Sequence, residues 1–115
     1  MTLPAITDIR QEEDRVTACF ALPPELDVFQ GHFPDMPILP GVAQLDWAIR
    51  LAVRYFGLAE PVAREFQVKF SDVIRPGALL SLTLRMDRVK QRLSFEYRLG
   101  ERVMSSGWIK LAGTP

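Results

Sequence analysis

One segment of the chain has the spacing of apolar residues typical of a helix, whereas the other regular segments alternate apolar and polar residues. This contrast constrains the fold more than any other feature. Between Pro40 and Phe56 apolar residues recur at three- and four-residue steps, and Gly57 follows where such a helix would end. The other regular segments show the two-residue period of half-buried strands; they are 14–22, 62–70, 80–86, 93–99 and 103–111. A lone helix must bury its apolar stripe on the sheet. Consecutive strands joined by short links, with turns at Pro76-Gly77, Lys90-Gln91 and Gly100-Glu101, favour an antiparallel meander. The sequence therefore predicts an α+β domain in which an antiparallel sheet packs on one long helix.

Size and composition predict a single domain without a metal or a membrane span. A chain of 115 residues is expected to form one hydrophobic core, so we assign 1–115 to one domain. The 14 basic and 14 acidic residues balance, which argues against nucleic acid or an anionic membrane as the main partner. One cysteine and one histidine exclude a disulfide framework and do not supply a typical structural zinc site. No apolar run reaches the ~20 residues of a membrane helix or forms a signal peptide, so we expect a cytoplasmic protein.

Two titratable residues, His32 and Asp46, are the candidate catalytic groups. His32 lies in a loop rich in proline and glycine, and histidine is the side chain best suited to accept a proton near neutral pH. Asp46 lies beside the predicted apolar stripe of the helix, where partial burial favours the protonated form of a carboxyl. Each residue also has an ordinary explanation, because a lone loop histidine is usually structural and a helix aspartate is usually solvated. The neighbouring residues must therefore decide their role.

The predicted start of the helix leaves backbone donors without partners. Leu39 has no side-chain acceptor to cap the helix, and Pro40 has no N–H of its own. The amides of Gly41, Val42 and Ala43 are therefore expected to be available to a ligand. No Gly-x-Ser-x-Gly turn and no phosphate-binding glycine loop occurs in the sequence, so neither serine-triad chemistry nor a nucleotide cofactor is supported.

The same stretch carries a specific resemblance. The run Gly-His-Phe-Pro-x-x-Pro-x-x-Pro-Gly-Val over 31–42, followed by Asp46, resembles the active-site signature of bacterial 3-hydroxyacyl-[acyl-carrier-protein] dehydratases. Asp46 stands 14 positions after His32, which is the family's spacing between its histidine and its acid. Residues 68–77 resemble the strand and the Pro-Gly turn that follow in the family. Residues 38–47 are most similar to the branch encoded with aryl-polyene biosynthesis.

One position departs from the family pattern. Arg50 stands one helical turn after Asp46, where the fatty-acid enzymes usually have glutamine. A guanidinium at this position favours the ionised carboxylate, which opposes a role as proton donor. We therefore expect either that Arg50 points to solvent or that the chemistry differs in detail.

The resemblance implies a hotdog fold, with an antiparallel β-sheet wrapped around one long central helix. It also implies a lyase that eliminates water from a 3-hydroxyacyl thioester to give the trans-2-enoyl thioester. In the family the histidine removes the α-proton and the acid protonates the departing hydroxyl, roles that fall here on His32 and Asp46. The residue chemistry agrees, since elimination needs a base, a proton donor and dipoles for the charge that gathers on the thioester oxygen. The expected substrate-binding residues are Gly41, Val42, Phe33 and Trp47.

The resemblance also implies the partners. No cofactor is expected, because the substrate is carried on the phosphopantetheine arm of an acyl carrier protein. That acidic carrier would dock on exposed bases near the site; the candidates are Arg50, Arg54, Lys69, Arg75 and the turn from Lys90 to Arg92. We expect a homodimer or a higher homo-oligomer of dimers, with sheets joined edge to edge and each site taking its histidine from one chain and its acid from the other. A hetero-oligomer with another hotdog protein is the alternative assembly.

Two other functions remain open. A hotdog acyl thioesterase would use the acid to activate water, and a non-catalytic hotdog subunit would support a partner in a mixed dehydratase assembly. The presence of both His32 and Asp46 favours the dehydratase over either of them, whereas Arg50 gives weight to the non-catalytic subunit.

Overall fold

The computed structural model describes residues 2–30, 37–58 and 62–112. These ranges contain, in chain order, β1 (Ile6–Gln11), β2 (Arg15–Ala21), a short 3₁₀ helix (Asp27–Phe29), α1 (Gly41–Phe56), β3 (Val62–Phe70), β4 (Leu79–Asp87), β5 (Arg92–Leu99) and β6 (Arg102–Ala112). The helix and the five predicted strands are confirmed, each end to within one residue. Strand β1 was not predicted, because most of its residues are exposed and it acquires its strand conformation by pairing with β2.

The strands form one antiparallel sheet in the order β1-β2-β4-β5-β6-β3. Short turns join β4 to β5 and β5 to β6, and the left-handed backbone that these turns need occurs at Gln91 and Gly100, with φ of 51° and 58°. The predicted meander holds for β4, β5 and β6 but is wrong for β3, which precedes β4 in the chain yet pairs with β6 at the far edge of the sheet. Alternation shows which residues face the core but does not specify which strands pair. Among the described strands, β1 and β3 are therefore the two edges.

Helix α1 buries a face that is rotated from the predicted one. It begins after Pro40 and ends at Gly57, whose left-handed backbone has φ of 65° and whose N–H donates to the Val53 carbonyl over 3.1 Å. The buried residues are Ala43, Gln44, Trp47, Ala48, Leu51, Ala52 and Phe56. The predicted stripe consisted of Val42, Leu45, Ile49, Ala52, Val53 and Phe56. Of these, Ala52 and Phe56 are buried, three are only partly buried and Val42 is exposed. The physical reason is close packing, since the face with three alanines lets the helix backbone approach the sheet.

The core between α1 and the sheet is apolar. Trp47 is fully buried, and its ring meets Phe20 edge-on at a centroid distance of 5.8 Å and an angle of 87°. Burial alternates along β2 and β4, as the two-residue period predicted. A single long helix packed on an antiparallel sheet confirms the predicted α+β hotdog fold. Within the described ranges, no helix is long and apolar enough to cross a membrane.

Candidate active site

Four of the six predicted site residues lie on α1 and are described by the structure. They are Gly41, Val42, Asp46 and Trp47. His32 and Phe33 lie outside the described residues, so their positions relative to Asp46 stay predictions. In the described part of the chain no group of three or more His, Cys, Asp or Glu residues could hold a metal ion.

The first turn of α1 presents two backbone donors. Pro40 provides no side-chain cap, and its carbonyl accepts the N–H groups of Ala43 and Gln44 at 3.1 and 3.2 Å. The expectation for Ala43 was therefore wrong, because the Pro40 carbonyl already accepts the first hydrogen bonds of the helix. Within the described ranges, the amides of Gly41 and Val42 have no acceptor. These two amides lie at the positive end of the helix dipole, where an anionic oxygen is stabilised.

A small pocket of about 140 Å³ lies at this end of the helix. Gly41 and Gln44 line it from the helix. The other lining residues belong to the segment before the helix and to the end of β3 with the residues that follow it; they are Ile38, Leu39, Phe70, Asp72 and Val73. The Phe70 ring lies directly against Gly41, because a Cβ atom added there would be 2.6 Å from the ring carbon Cζ. Glycine thus allows the aromatic ring to pack on the start of the helix. The pocket is smaller than the several hundred Å³ of a typical ligand site.

Asp46 faces Arg50 on the surface of the helix. The carboxylate Oδ2 lies 3.4 Å from the Arg50 Nη1 atom, and the two side chains are 37% and 46% exposed. The departure from the family pattern therefore places a cation next to the candidate acid. A pair this long and this exposed contributes little to stability, typically ~0.2–1 kcal/mol.

Sequence reasoning missed three buried polar residues near the helix start: Gln44, Tyr97 and Ser105. The Tyr97 hydroxyl donates to the Gln44 backbone carbonyl over 2.6 Å, and the Ser105 hydroxyl donates to Gln44 Oε1 over 2.6 Å. Burial raises the pKa of Tyr97 well above its ordinary value, and the negative charge of Asp46 raises this pKa further. The available signal was the polarity of Gln44 and Ser105, which stand on the inward faces of a helix and a strand.

Trp47 is placed in the core. Its described contacts are those of a packing residue, and its indole N–H has no hydrogen-bond partner among the described residues. A contact with the acyl chain stays a prediction for this residue.

One long helix packed on an antiparallel sheet is the arrangement of a hotdog-type protein. Comparison with protein families makes the assignment specific. The family model described as ApeI-like, ApeI dehydratase, matches residues 8–108. The chain belongs to this ApeI-like dehydratase family.

Solved structures agree with this assignment. The chain resembles the dehydratase heterocomplex ApeI:P from Xenorhabdus doucetiae with a TM-score of 0.90 and 34% identity, over 96% of this chain and 99% of that one. It also resembles an uncharacterised protein from Erwinia carotovora subsp. atroseptica with a TM-score of 0.82 and 34% identity, over 97% and 98% of the two chains. A probable thioesterase from Bartonella henselae, at 17% identity and a TM-score of 0.65 over 87% and 90% of the chains, shares the fold.

Curated relatives include 3-hydroxyacyl-[acyl-carrier-protein] dehydratases FabZ. The protein from Oenococcus oeni is 32% identical over 91 residues, which cover 70% of this chain and 66% of the relative. The protein from Novosphingobium aromaticivorans is 31% identical over 102 residues, covering 78% of this chain and 65% of the relative. The matches thus span less than two thirds of the length of these relatives.

Proposed function

We propose that the protein eliminates water from a 3-hydroxyacyl thioester that an acyl carrier protein presents on its phosphopantetheine arm. His32 takes the α-proton, the carbon–oxygen bond at C3 breaks, and Asp46 gives its proton to the departing hydroxyl. The products are a trans-2-enoyl thioester and water. Negative charge gathers on the thioester oxygen during the reaction, and the Gly41 and Val42 amides stabilise it. His32 gains one proton and Asp46 loses one, so the reaction balances without a cofactor.

The observation that carries this proposal is the position of Asp46 about one and a half turns after the Gly41 and Val42 amides, which have no acceptor among the described residues. Asp46 follows Gly41 by five residues, so at a rise of 1.5 Å per residue it lies about 8 Å along the axis from the helix start. A 3-hydroxyacyl group with a hydrogen bond at its thioester oxygen and another at its hydroxyl spans a distance of that order. The helix therefore offers partners for both polar atoms of one substrate.

The active unit that we propose is a dimer joined along β3. Phe66 and Phe70 on this edge strand are 58% and 53% exposed, and Val42 at the helix start is 62% exposed. Apolar residues on an unpaired edge favour association, and a two-fold partner would continue the sheet across β3. The small pocket also supports a dimer, because a second subunit would enlarge it. That partner is a second copy or, as in the related Xenorhabdus complex, another dehydratase chain.

Arg75 is the base that we propose for docking of the carrier protein. It lines a surface depression of about 470 Å³ that shares Asp72 and Val73 with the pocket at the helix start. A phosphopantetheine arm that enters this pocket would bring the acidic carrier close to Arg75. Arg92 is less suited, because its guanidinium lies over the Trp108 ring at 4.2 Å from the centroid.

Turnover of a panel of 3-hydroxyacyl carrier proteins, aliphatic and aryl-terminated, tests the reaction. We expect enoyl thioester to form, with the aryl-terminated substrate preferred in keeping with the aryl-polyene resemblance. His32→Ala and Asp46→Asn should each lower the rate by ~10²- to 10⁴-fold, the usual contribution of an acid or base. Release of free thiol without enoyl product would instead identify a thioesterase. No turnover by the chain alone, followed by turnover after a hotdog partner is added that His32→Ala and Asp46→Asn leave unchanged, would support the non-catalytic subunit.

Mixing the same two variants tests the dimer. In a two-fold dimer with random pairing, half of the dimers are mixed and each mixed dimer has one intact site of two. About one quarter of the wild-type activity should therefore return after the His32→Ala and Asp46→Asn chains are unfolded and refolded together. A site built within one chain would recover no activity, since every site would carry one of the two lesions.

A further inference from the structure

A row of three neighbouring residues crosses the sheet beneath the first turn of α1. Tyr97 on β5 pairs with Ser105 on β6, and Ser105 pairs with Phe70 on β3. Directly paired residues point to the same face of a sheet. Each of the three contacts the helix start: Tyr97 and Ser105 through hydrogen bonds to Gln44, and Phe70 through its ring against Gly41.

Gln44 connects this row to the segment that precedes the helix. Its backbone carbonyl accepts from Tyr97 and its Oε1 accepts from Ser105, while its Nε2 donates to the Leu39 carbonyl over 3.3 Å. The Leu39 N–H in turn donates to the Ile74 carbonyl over 2.7 Å. Hydrogen bonds thus run without a break from β5 and β6 through the first helical turn to the connection between β3 and β4.

Packing alone does not call for these polar groups. Gln44 and Ser105 are buried on faces that are otherwise apolar, where apolar side chains of similar size would avoid the burial of polar atoms. What a hydrogen bond adds over an apolar contact is direction, since it constrains both distance and angle. The Tyr97 hydroxyl is protonated throughout the neutral range, as for any tyrosine, and burial raises its pKa further, so it remains a donor.

We propose that Tyr97, Ser105 and Gln44 are positioning residues, which hold the first two turns of α1 so that the free amides and the Asp46 carboxyl meet the substrate together. The three residues act through the helix and do not touch the reacting atoms. The proposal depends on the dehydratase function for the identity of the substrate. A misplacement of about 1 Å in such a site can lower a rate ~100-fold, whereas binding of the remote acyl chain is little affected.

The experiment compares two pairs of matched variants in the full-length protein. Tyr97→Phe and Ser105→Ala each remove one hydroxyl, and the controls Tyr55→Phe and Ser106→Ala make the same changes away from the row. Folding is verified by thermal unfolding, and kcat and KM are measured with a 3-hydroxyacyl carrier protein. We expect Tyr97→Phe and Ser105→Ala to lower kcat by ~10- to 100-fold with KM changed less than about threefold, and the controls to retain wild-type values.

Amide hydrogen exchange provides a readout that does not require activity. The Ala48 N–H bonds to the Gln44 carbonyl in a regular helix, so its exchange should accelerate in Tyr97→Phe and Ser105→Ala, whereas exchange near the helix end at Phe56 should not change. Unchanged kcat, or unchanged exchange at Ala48, in folded variants would overturn the proposal. Wild-type protein that dehydrates no 3-hydroxyacyl thioester would instead refute the proposed function, and the exchange result would still decide whether these hydroxyls position the helix.

Discussion

Substitution of Gly107 on β6 is expected to destabilise the protein more than any change of similar size nearby. Gly107 pairs with Phe95 on one side and with Val68 on the other. A Cβ atom at this position would lie far inside contact distance of the Gln67 carbonyl oxygen and 3.0 Å from the Val68 Cα atom. Both atoms belong to the backbone of β3, which does not rotate away as an exposed side chain can. Gly107→Ala therefore forces the edge strand to move.

The expected magnitude follows from what that movement breaks. Strand β3 pairs with β6 from Val62 to Phe70 and has no other strand neighbour in the described sheet, so its displacement weakens the whole pairing. Overpacking usually costs about 1–3 kcal/mol, and a clash with backbone lies at or above the upper end of that range. A loss of about 3 kcal/mol corresponds to a decrease in Tm of ~10–20 °C for a domain of this size.

Thermal unfolding followed by circular dichroism measures this loss. Ser106→Ala is the matched control, because it alters the adjacent residue of the same strand and is expected to shift Tm by only a few degrees. Size-exclusion chromatography at the same concentrations reports whether the displaced edge strand also weakens the proposed dimer along β3. A Tm of Gly107→Ala equal to that of Ser106→Ala would show that β3 accommodates a methyl group and that the reasoning is wrong.

Three further predictions concern the helix start. The folded-state pKa of Tyr97 is raised above the ordinary value of 10.0, so the unfolded chain ionises first as pH rises. The free energy of unfolding should therefore fall above about pH 10. Denaturant titration at several pH values measures this fall, which should be absent in Tyr97→Phe. Arg50→Gln should change the free energy of unfolding by less than about 1 kcal/mol, since the pair with Asp46 is exposed. The same variant should dehydrate faster in the carrier-protein assay, because the Arg50 guanidinium, 3.4 Å from Asp46 Oδ2, no longer competes with the substrate hydroxyl for that carboxyl; a slower rate would contradict this role. Gly41→Ala should lower Tm by only a few degrees, because the half-exposed Phe70 ring can rotate away from the added methyl group. In a double-mutant cycle, Gly41→Ala should be nearly neutral when Phe70 is already replaced by alanine.

Local pattern was sufficient for the elements that bury one face. The alternation in 80–86 and the three- and four-residue steps before Gly57 each come from which side of a backbone meets the core, and both elements were predicted to within one residue. It was insufficient for β1, whose exposed residues follow no such period. It also misplaced the buried face of α1, because apolar residues such as Leu45 and Ile49 can border the core while smaller alanines face the sheet.

Residue types and short spacings were enough to predict the class of the fold, the limits of its one long helix and the candidate pair His32 and Asp46. The pairing of β3 with β6 required the folded structure, since alternation does not specify which strands pair. The same holds for the hydrogen bonds from Tyr97 and Ser105 to Gln44, which join residues 53 and 61 positions apart. Such contacts depend on the relative position of the helix and the sheet, and that position results from the packing of the whole core.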